Sequence, residues 1–288
     1  IRYSVSAGNV TTESGMELHV LTGKTYTPGG SVTTTASSSS GSIAGDLHIA
    51  ASATVNMSTN GLSIGGHLVN SGTLNLSSGQ TTSLTATGSG FSIPASTTFQ
   101  NLVLNGSGGG FTNAGALTVS GTFNLTNGSF THTANTTMTV NGSSFTLANG
   151  TTWNKTSGTG KLVLENATNL AFADNNATKQ DLGAVQAGTS PGVTTLTTDM
   201  AATSLTIPAT DTLNTKGYDV TLSDFLDCQG ACVLDLTDTA PSNEGDGTIL
   251  DVGGDFTMST TATFTAATGK VFMNSTAGTD TNRVFTTG

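Results

Sequence analysis

The chain has 288 residues and a formal net charge of −10, and only 9% of its residues are Asp, Glu, Lys or Arg. Eight basic residues cannot form the basic stripe that binding to phosphates requires, so the composition argues against a nucleic-acid partner. No run of about eighteen apolar residues is present, and no membrane span is predicted.

The composition predicts an all-β protein. Thr, Ser and Gly occupy 58, 31 and 37 positions, and 35% of the residues are hydrophobic. Because Thr, Val, Ile and Phe suit half-buried strands and Gly suits tight turns, we expect many short strands and no long helix.

Residues 1–44 are predicted to form an N-terminal strand followed by a first coil or loop region. Ile1, Tyr3 and Val5 alternate with polar residues at the start of the chain, a pattern typical of a strand. We expect this segment to be donated to a neighbouring copy of the protein.

Residues 45–288 are predicted to form one body of repeated units. GDLHIAASATVNMSTN, GHLVNSGTLNLSSG, GALTVSGTFNLTNG and GDFTMSTTATFTAATG begin at Gly45, Gly66, Gly115 and Gly254 and share one frame. Each frame holds two short strands with alternating apolar residues, joined by a small-residue corner. Such strands are too short to bury a core alone, so they must stack.

Two architectures could use such units, an antiparallel sandwich and a solenoid. Four Asn-Gly pairs, beginning at Asn105, Asn127, Asn141 and Asn149, suit the hairpins of a sandwich. Only a solenoid needs one register repeated many times. We therefore predict a parallel β-helix of about a dozen coils, each of about 20 to 24 residues, forming an elongated rod.

The repeated frame, from Gly45 to Lys270, resembles the repeat regions of extracellular right-handed parallel β-helix proteins. These include adhesins of the filamentous-haemagglutinin type, autotransporter passengers and surface repeat proteins. The resemblance implies a structural or adhesive role at the cell surface, and it carries over no catalytic residue.

Catalytic and metal-binding residues are sparse. Polysaccharide lyases also use β-helices, and Lys155, Lys161 and Glu165 are the nearest set to their chemistry, though a solvated face is the simpler interpretation. His48 and His67 are separated by nearly one coil, so their rings are expected to stack on one face without a third metal ligand.

The acidic residues concentrate in the C-terminal half, where fifteen of the eighteen lie from Glu165 onward. A solvated acidic surface is the simplest interpretation. Calcium is the alternative cofactor, with Asp246 and Asp251 as candidate ligands, because Ca²⁺ takes six to eight oxygen ligands and carboxylates supply them. Apart from calcium, no cofactor is predicted.

Two features suggest an extracellular location. Cys228 and Cys232, the only cysteines, lie four residues apart and predict a small disulfide, with a buried reduced pair as the alternative. Asn-x-Ser/Thr triplets number thirteen, against about seven expected by chance, which suggests N-glycosylation. An intact mass equal to the bare 28.7 kDa would argue against it. The candidates are Asn56, Asn75, Asn105, Asn124, Asn127, Asn135, Asn141, Asn149, Asn154, Asn166 and Asn176.

These patterns predict a non-enzymatic structural subunit of an extracellular or cell-surface filament. An uncovered end of a solenoid exposes unpaired backbone groups, so copies of the chain are the expected partners, joined head to tail. Surface glycans or other cells are further candidate partners. The alternatives are a stalk fragment of a longer adhesin or autotransporter chain and, second, a polysaccharide lyase-like enzyme.

Overall fold

The computed structural model describes residues 8–155, 158–166, 168–188, 191–237, 248–267, 269–273 and, for the backbone, 285–287. No helix is present in these ranges, and hence none that is long and apolar enough to cross a membrane. The structure is instead a β-solenoid of about 12 turns built from parallel strands, as the sequence predicts.

The described residues contain 33 strands. The first nine are β1 (Val10–Thr11), β2 (Leu18–Val20), β3 (Thr25–Tyr26), β4 (Val32–Thr33), β5 (Leu47–Ile49), β6 (Thr54–Ser58), β7 (Leu62–Ile64), β8 (Leu68–Asn70) and β9 (Thr73–Leu76). The next nine are β10 (Thr81–Leu84), β11 (Phe91–Ile93), β12 (Thr97–Phe99), β13 (Asn101–Asn113), β14 (Leu117–Val119), β15 (Thr122–Thr131), β16 (Thr137–Val140), β17 (Ser144–Leu147) and β18 (Thr152–Asn154).

The remaining strands follow the same short pattern. Seven of them are β19 (Lys161–Leu164), β20 (Leu170–Asp174), β21 (Ala184–Ala187), β22 (Val193–Leu196), β23 (Met200–Ala202), β24 (Ser204–Ile207) and β25 (Thr212–Asn214). The last eight are β26 (Val220–Leu222), β27 (Leu226–Cys228), β28 (Val233–Asp235), β29 (Ile249–Val252), β30 (Phe256–Met258), β31 (Thr263–Thr265), β32 (Lys270–Met273) and β33 (Phe285–Thr287).

The chain falls into two compact units. The first comprises Ile1–Thr133 with Gly150–Asn154, and the second comprises Ala134–Asn149 with Lys155–Gly288. The division into residues 1–44 and 45–288 stays a prediction, and the first parallel pair, β1 with β4, lies within residues 1–44.

In the first unit, strands from successive turns lie side by side in the orders β1-β4-β7-β10-β13-β15, β2-β5-β8, β3-β6-β9 and β12-β14. The core is a set of columns in which one apolar residue lies over the next. Ile64, Leu84, Leu104 and Leu125 form such a column, and all four are buried. Because successive side chains of a strand point to opposite faces, the residues next to each of these four in its own strand point outward.

In the second unit, the orders are β17-β20-β22-β25-β28-β31, β16-β19-β21-β24-β27-β30-β33 and β23-β26-β29-β32. Leu162, Val185, Leu205, Leu226 and Phe256 make one buried column across five turns. Like packs on like elsewhere in this unit, where the rings of Phe145 and Phe172 stack with centroids 5.7 Å apart.

The sandwich alternative is excluded for the part of the chain that the structure describes, where every registered strand pair is parallel. Two of the four Asn-Gly pairs do not form turns at all. The strand β13 runs through Asn105 and Gly106, and β15 runs through Asn127 and Gly128. The two strands pair on both sides of these positions, from Leu102 to Asn105 and from Gly110 to Thr112 of β13, with register shifts between the two stretches.

Candidate functional site

The last described turn of the second unit has an open edge. The strands β31, β32 and β33 pair with β28, β29 and β30 respectively, and the described residues supply no strand on their other side. An unpaired strand edge presents backbone donors and acceptors and is a template for pairing with another chain.

Side-chain exposure marks the same edge. Leu234 and Leu250 are fully buried, but their partners in the next turn, Phe264 and Val271, are half-buried. On the outward face of β32, Phe272 is 49% exposed. The apolar columns of the core, which are fully buried in the earlier turns, are therefore partly exposed at β31 and β32.

In the part of the chain that the structure describes, the first turn of the first unit has strand partners on one side only. Within the described ranges, β1, β2 and β3 pair with β4, β5 and β6 and with no other strand. Leu18 and Val20 of this turn are nevertheless buried, while Met16 and Leu21 beside them are exposed. Ile1, Tyr3 and Val5, the predicted donated strand, lie outside the described residues.

The basic residues considered for catalysis are engaged on the surface of the second unit. Lys155 forms an ion pair with Asp181 and also donates to Thr203, and Lys161 donates to the side-chain oxygen of Gln186. Glu165 follows β19 directly. These contacts join Lys155 and Lys161 to side chains of later turns.

The predicted stack of His48 and His67 is wrong. In the register of β5 and β8, His48 lies beside Val69, and His67 falls two positions away beside Asp46. His48 stacks instead on His19 of the preceding turn, with ring centroids 4.1 Å apart and planes within 4°. The turn from Leu18 to Leu47 is longer than a repeat of constant length allows, which is why the sequence did not indicate this pair.

The candidate glycosylation sites divide by exposure. Asn176 is buried and its amide donates to Asp174, so its position disfavours modification. Asn56, Asn124 and Asn166 are half-buried. The remaining candidates are exposed: Asn75, Asn105, Asn127, Asn135, Asn141, Asn149 and Asn154. Four of the sites form two asparagine pairs between neighbouring turns, since Asn75 donates to Asn56 and Asn127 donates to Asn105.

Cys228 and Cys232 form a disulfide across the corner between β27 and β28, with Cα atoms 5.8 Å apart. Both residues are fully buried. The bridge encloses a short corner in the core of the second unit.

A buried carboxylate lies in the turn before this disulfide. Asp211 is 1% exposed, and neither of its carboxylate oxygens makes a hydrogen bond of good geometry within the described residues. Burial raises the pKa of Asp211 to about 6; the backbone amide of Gly192 acts against this rise, and the carboxylate of Glu165 adds to it. The sequence Ile-Pro-Ala occurs at residues 93–95 and again at 207–209, and the second residue after it is Thr97 in the first unit and Asp211 in the second. This replacement of Thr by Asp at an equivalent corner is the sequence signal for the buried carboxylate.

Other carboxylates of the C-terminal half accept hydrogen bonds from backbone amides. Asp219, for example, accepts the amide proton of Ile249, and Asp235 accepts that of Thr237. Asp251 belongs to no group of three or more metal-ligating side chains in the described ranges, and Asp246 lies outside them. The one such group that is found there consists of Glu17, His19 and His48.

Comparisons of the chain with family models, with curated proteins and with solved structures found no match. The function is therefore inferred from the geometry of the chain itself.

Proposed function

We propose that this chain is a non-enzymatic structural subunit of an extracellular or cell-surface filament, in which copies associate head to tail. The observation that carries the proposal is the open edge of β31 and β32. There the outer side of the last described turn has no strand partner among the described residues, and apolar core columns are partly exposed.

The strand edges at the two ends of the described chain can pair with each other in the same parallel manner as successive turns do. Each turn already accepts the next through parallel pairing, as β28 accepts β31 in the second unit and β1 accepts β4 in the first. The last turn of one copy can therefore accept the first turn of another with the same hydrogen-bonding pattern. Such a contact is heterologous and does not close on itself, so it generates a filament.

The extracellular location is supported by the disulfide and by the surface asparagines. Disulfides persist in oxidising compartments, and Cys228 and Cys232 are bridged. Seven of the candidate glycosylation sites are exposed, so a glycan could be attached at these positions without unfolding a turn. Glycans on other surfaces or other cells remain candidate partners of the solvated faces.

Donation of the N-terminal strand is a separate part of the proposal. Deletion of residues 1–10 should abolish or weaken association if Ile1, Tyr3 and Val5 pair with a neighbouring copy. If the shortened chain still forms normal filaments, strand donation is excluded and edge-to-edge stacking remains as the mode of association.

An adhesin or autotransporter stalk is the alternative use of the same edge. In that case further turns of a longer chain would cover β31 and β32, and the parent reading frame would encode more repeats after Gly288. A polysaccharide lyase-like enzyme is the second alternative. It would require cleavage of an anionic polysaccharide that is lost in Lys161→Ala or Glu165→Gln.

The test of the filament is a proline at the open edge. Lys270 donates its backbone N–H inward to Thr248, and consecutive amides of a strand point to opposite sides, so the Val271 N–H points outward. Val271→Pro removes that outward donor while sparing the internal ladder. We expect the wild type to form filaments in electron micrographs and Val271→Pro to stay monomeric by light scattering.

The matched control is Val271→Thr, which keeps both the backbone donor and the β-branched shape and should associate like the wild type. Circular dichroism and thermal melting establish that both variants are folded. A wild-type protein that stays monomeric at all concentrations, or a proline variant that assembles normally, would overturn the proposal.

A further inference from the structure

Two imidazoles and a carboxylate converge on the outward surface of the first unit. Glu17 directly precedes β2, His19 lies within it, and His48 lies on the adjacent strand β5. One ligand atom from each of the three side chains lies within 4.8 Å of the other two. The carboxylate oxygen Oε1 of Glu17 is 3.5 Å from Nδ1 of His19, and all three side chains are half-buried.

The backbone beneath this cluster is held by the core. Leu18 and Val20 flank His19 and pair with Leu47 and Ile49, which flank His48, and these four side chains are buried. The main-chain N–H of Leu18 also donates to the main-chain oxygen of Asp46. The two histidines therefore project from paired parallel strands, and Glu17 directly precedes one of them, so the backbone positions of the three candidate ligands are fixed by the core.

The third histidine of this surface, His67, already uses both of its ring nitrogens in hydrogen bonds. Nδ1 of His67 accepts the backbone N–H of Ser92, so Nε2 carries the proton and faces the carbonyl of Ser40 at 2.9 Å. In the column of His19 and His48, the next turn supplies Val69. The imidazoles that this surface offers to a ligand are thus the two that stack.

The surroundings favour a cation. Asp46 lies in the same column as Glu17, one turn later, and its carboxylate accepts the main-chain N–H of His67 at 2.6 Å. Two carboxylates beside two imidazoles present a negative local charge that a divalent cation would neutralise.

We infer that Glu17, His19 and His48 form a binding site for a divalent transition-metal ion, with zinc the appropriate probe. Imidazole and carboxylate ligands at about 2.0–2.2 Å are the usual donors to Zn²⁺, and three protein ligands leave one position of a tetrahedron for water. Because the lone pair of each imidazole lies in the ring plane, two stacked rings cannot both point at one ion. The rings must turn apart when the metal binds, a rotation open to half-exposed side chains.

The experiment titrates the purified full chain with zinc chloride and measures the heat of binding, the melting temperature and the imidazole nitrogen shifts by NMR. We expect one equivalent of zinc to bind, the melting temperature to rise, and the shifts of His19 and His48 to move while those of His67 do not. His19→Gln, His48→Gln and Glu17→Gln should each weaken binding at least about tenfold.

A gain-of-function variant protects the test against variants that merely unfold. Val69 is 37% exposed and lies beside His48, so Val69→His adds a third imidazole to the column and should tighten zinc binding at least about tenfold. The inference fails if His48→Gln binds zinc as tightly as the wild type, or if Val69→His binds no more tightly. Both outcomes are independent of whether the protein forms filaments.

Discussion

At the scale of single residues, Asp211 is the most unusual side chain of the described chain. Its carboxylate is buried in a corner where Gly188 approaches so closely that any side chain there would overlap it. The corresponding corner of the first unit holds Thr97, whose hydroxyl donates to the carbonyl of Pro94. The Thr97 corner satisfies its polar group internally, whereas the Asp211 corner leaves a carboxylate without a well-placed donor among the described residues.

This difference predicts a pH dependence of stability. The pKa of Asp211 rises from 3.8 to about 6 on folding, so the folded state holds a proton that the unfolded state loses. Stability from this group is complete below pH 3.8 and is lost as the pH rises through about 6, a change of about 3 kcal/mol.

The variant that reveals this effect is Asp211→Asn. We expect it to raise the free energy of unfolding at pH 7.5 by about 2 kcal/mol and to have little effect at about pH 4, because the wild-type carboxyl is then neutral in the folded state. Denaturant unfolding at the two pH values measures both changes. Asp211→Thr, which copies the Thr97 corner, should show the same pH dependence as Asp211→Asn. Equal stabilisation at both pH values would contradict the assignment.

At the scale of the elements, the long strand β13 depends on glycine where two turns come close. A β-carbon on Gly106 would overlap the carbonyl oxygen of Ala86 in the preceding turn, so only glycine fits. Gly41 in the same unit is exposed, and the nearest atom to a β-carbon there would be Oγ of Ser39 at 3.9 Å.

Alanine substitution of the two glycines is therefore expected to have very different effects on stability. Gly106→Ala should lower the free energy of unfolding by about 2–4 kcal/mol because the turns must separate, and Gly41→Ala should change it by less than about 0.5 kcal/mol. Denaturant titration of the two variants beside the wild type makes the comparison. Similar effects at both positions would mean that β13 and the turn before it are not packed as described.

At the scale of the whole molecule, charge opposes the proposed association. The chain carries a net charge of −10, and fifteen of its eighteen acidic residues lie from Glu165 onward. Copies of such a chain repel one another, and salt shortens the range of that repulsion from about 10 Å at 0.1 M to about 3 Å at 1 M.

Filament formation should therefore strengthen with ionic strength. We expect the critical concentration for assembly to fall several-fold between about 0.02 M and about 0.5 M NaCl, because the edge contacts are hydrogen-bonded and apolar while the repulsion is screened. Light scattering across a salt series measures it, with Val271→Pro as the control that should not assemble at any salt concentration. Assembly that weakens with salt would indicate an interface held by ion pairs instead.

The sequence by itself determined the class of fold, because alternation of apolar residues sets which face of each strand is buried, and repeated short strands can bury that face only by stacking. It also limited any disulfide to Cys228 and Cys232, since the chain contains no other cysteine.

Only the tertiary structure decided which residue lies over which. Among the described pairs, partners are separated by as few as 18 positions, as for Ser58 and Leu76, and by as many as 30, as for Leu226 and Phe256. Local periodicity fixes the face of a side chain but not the length of a corner. Burial of whole columns therefore sets the register, which joins His19 to His48 and leaves His67 apart.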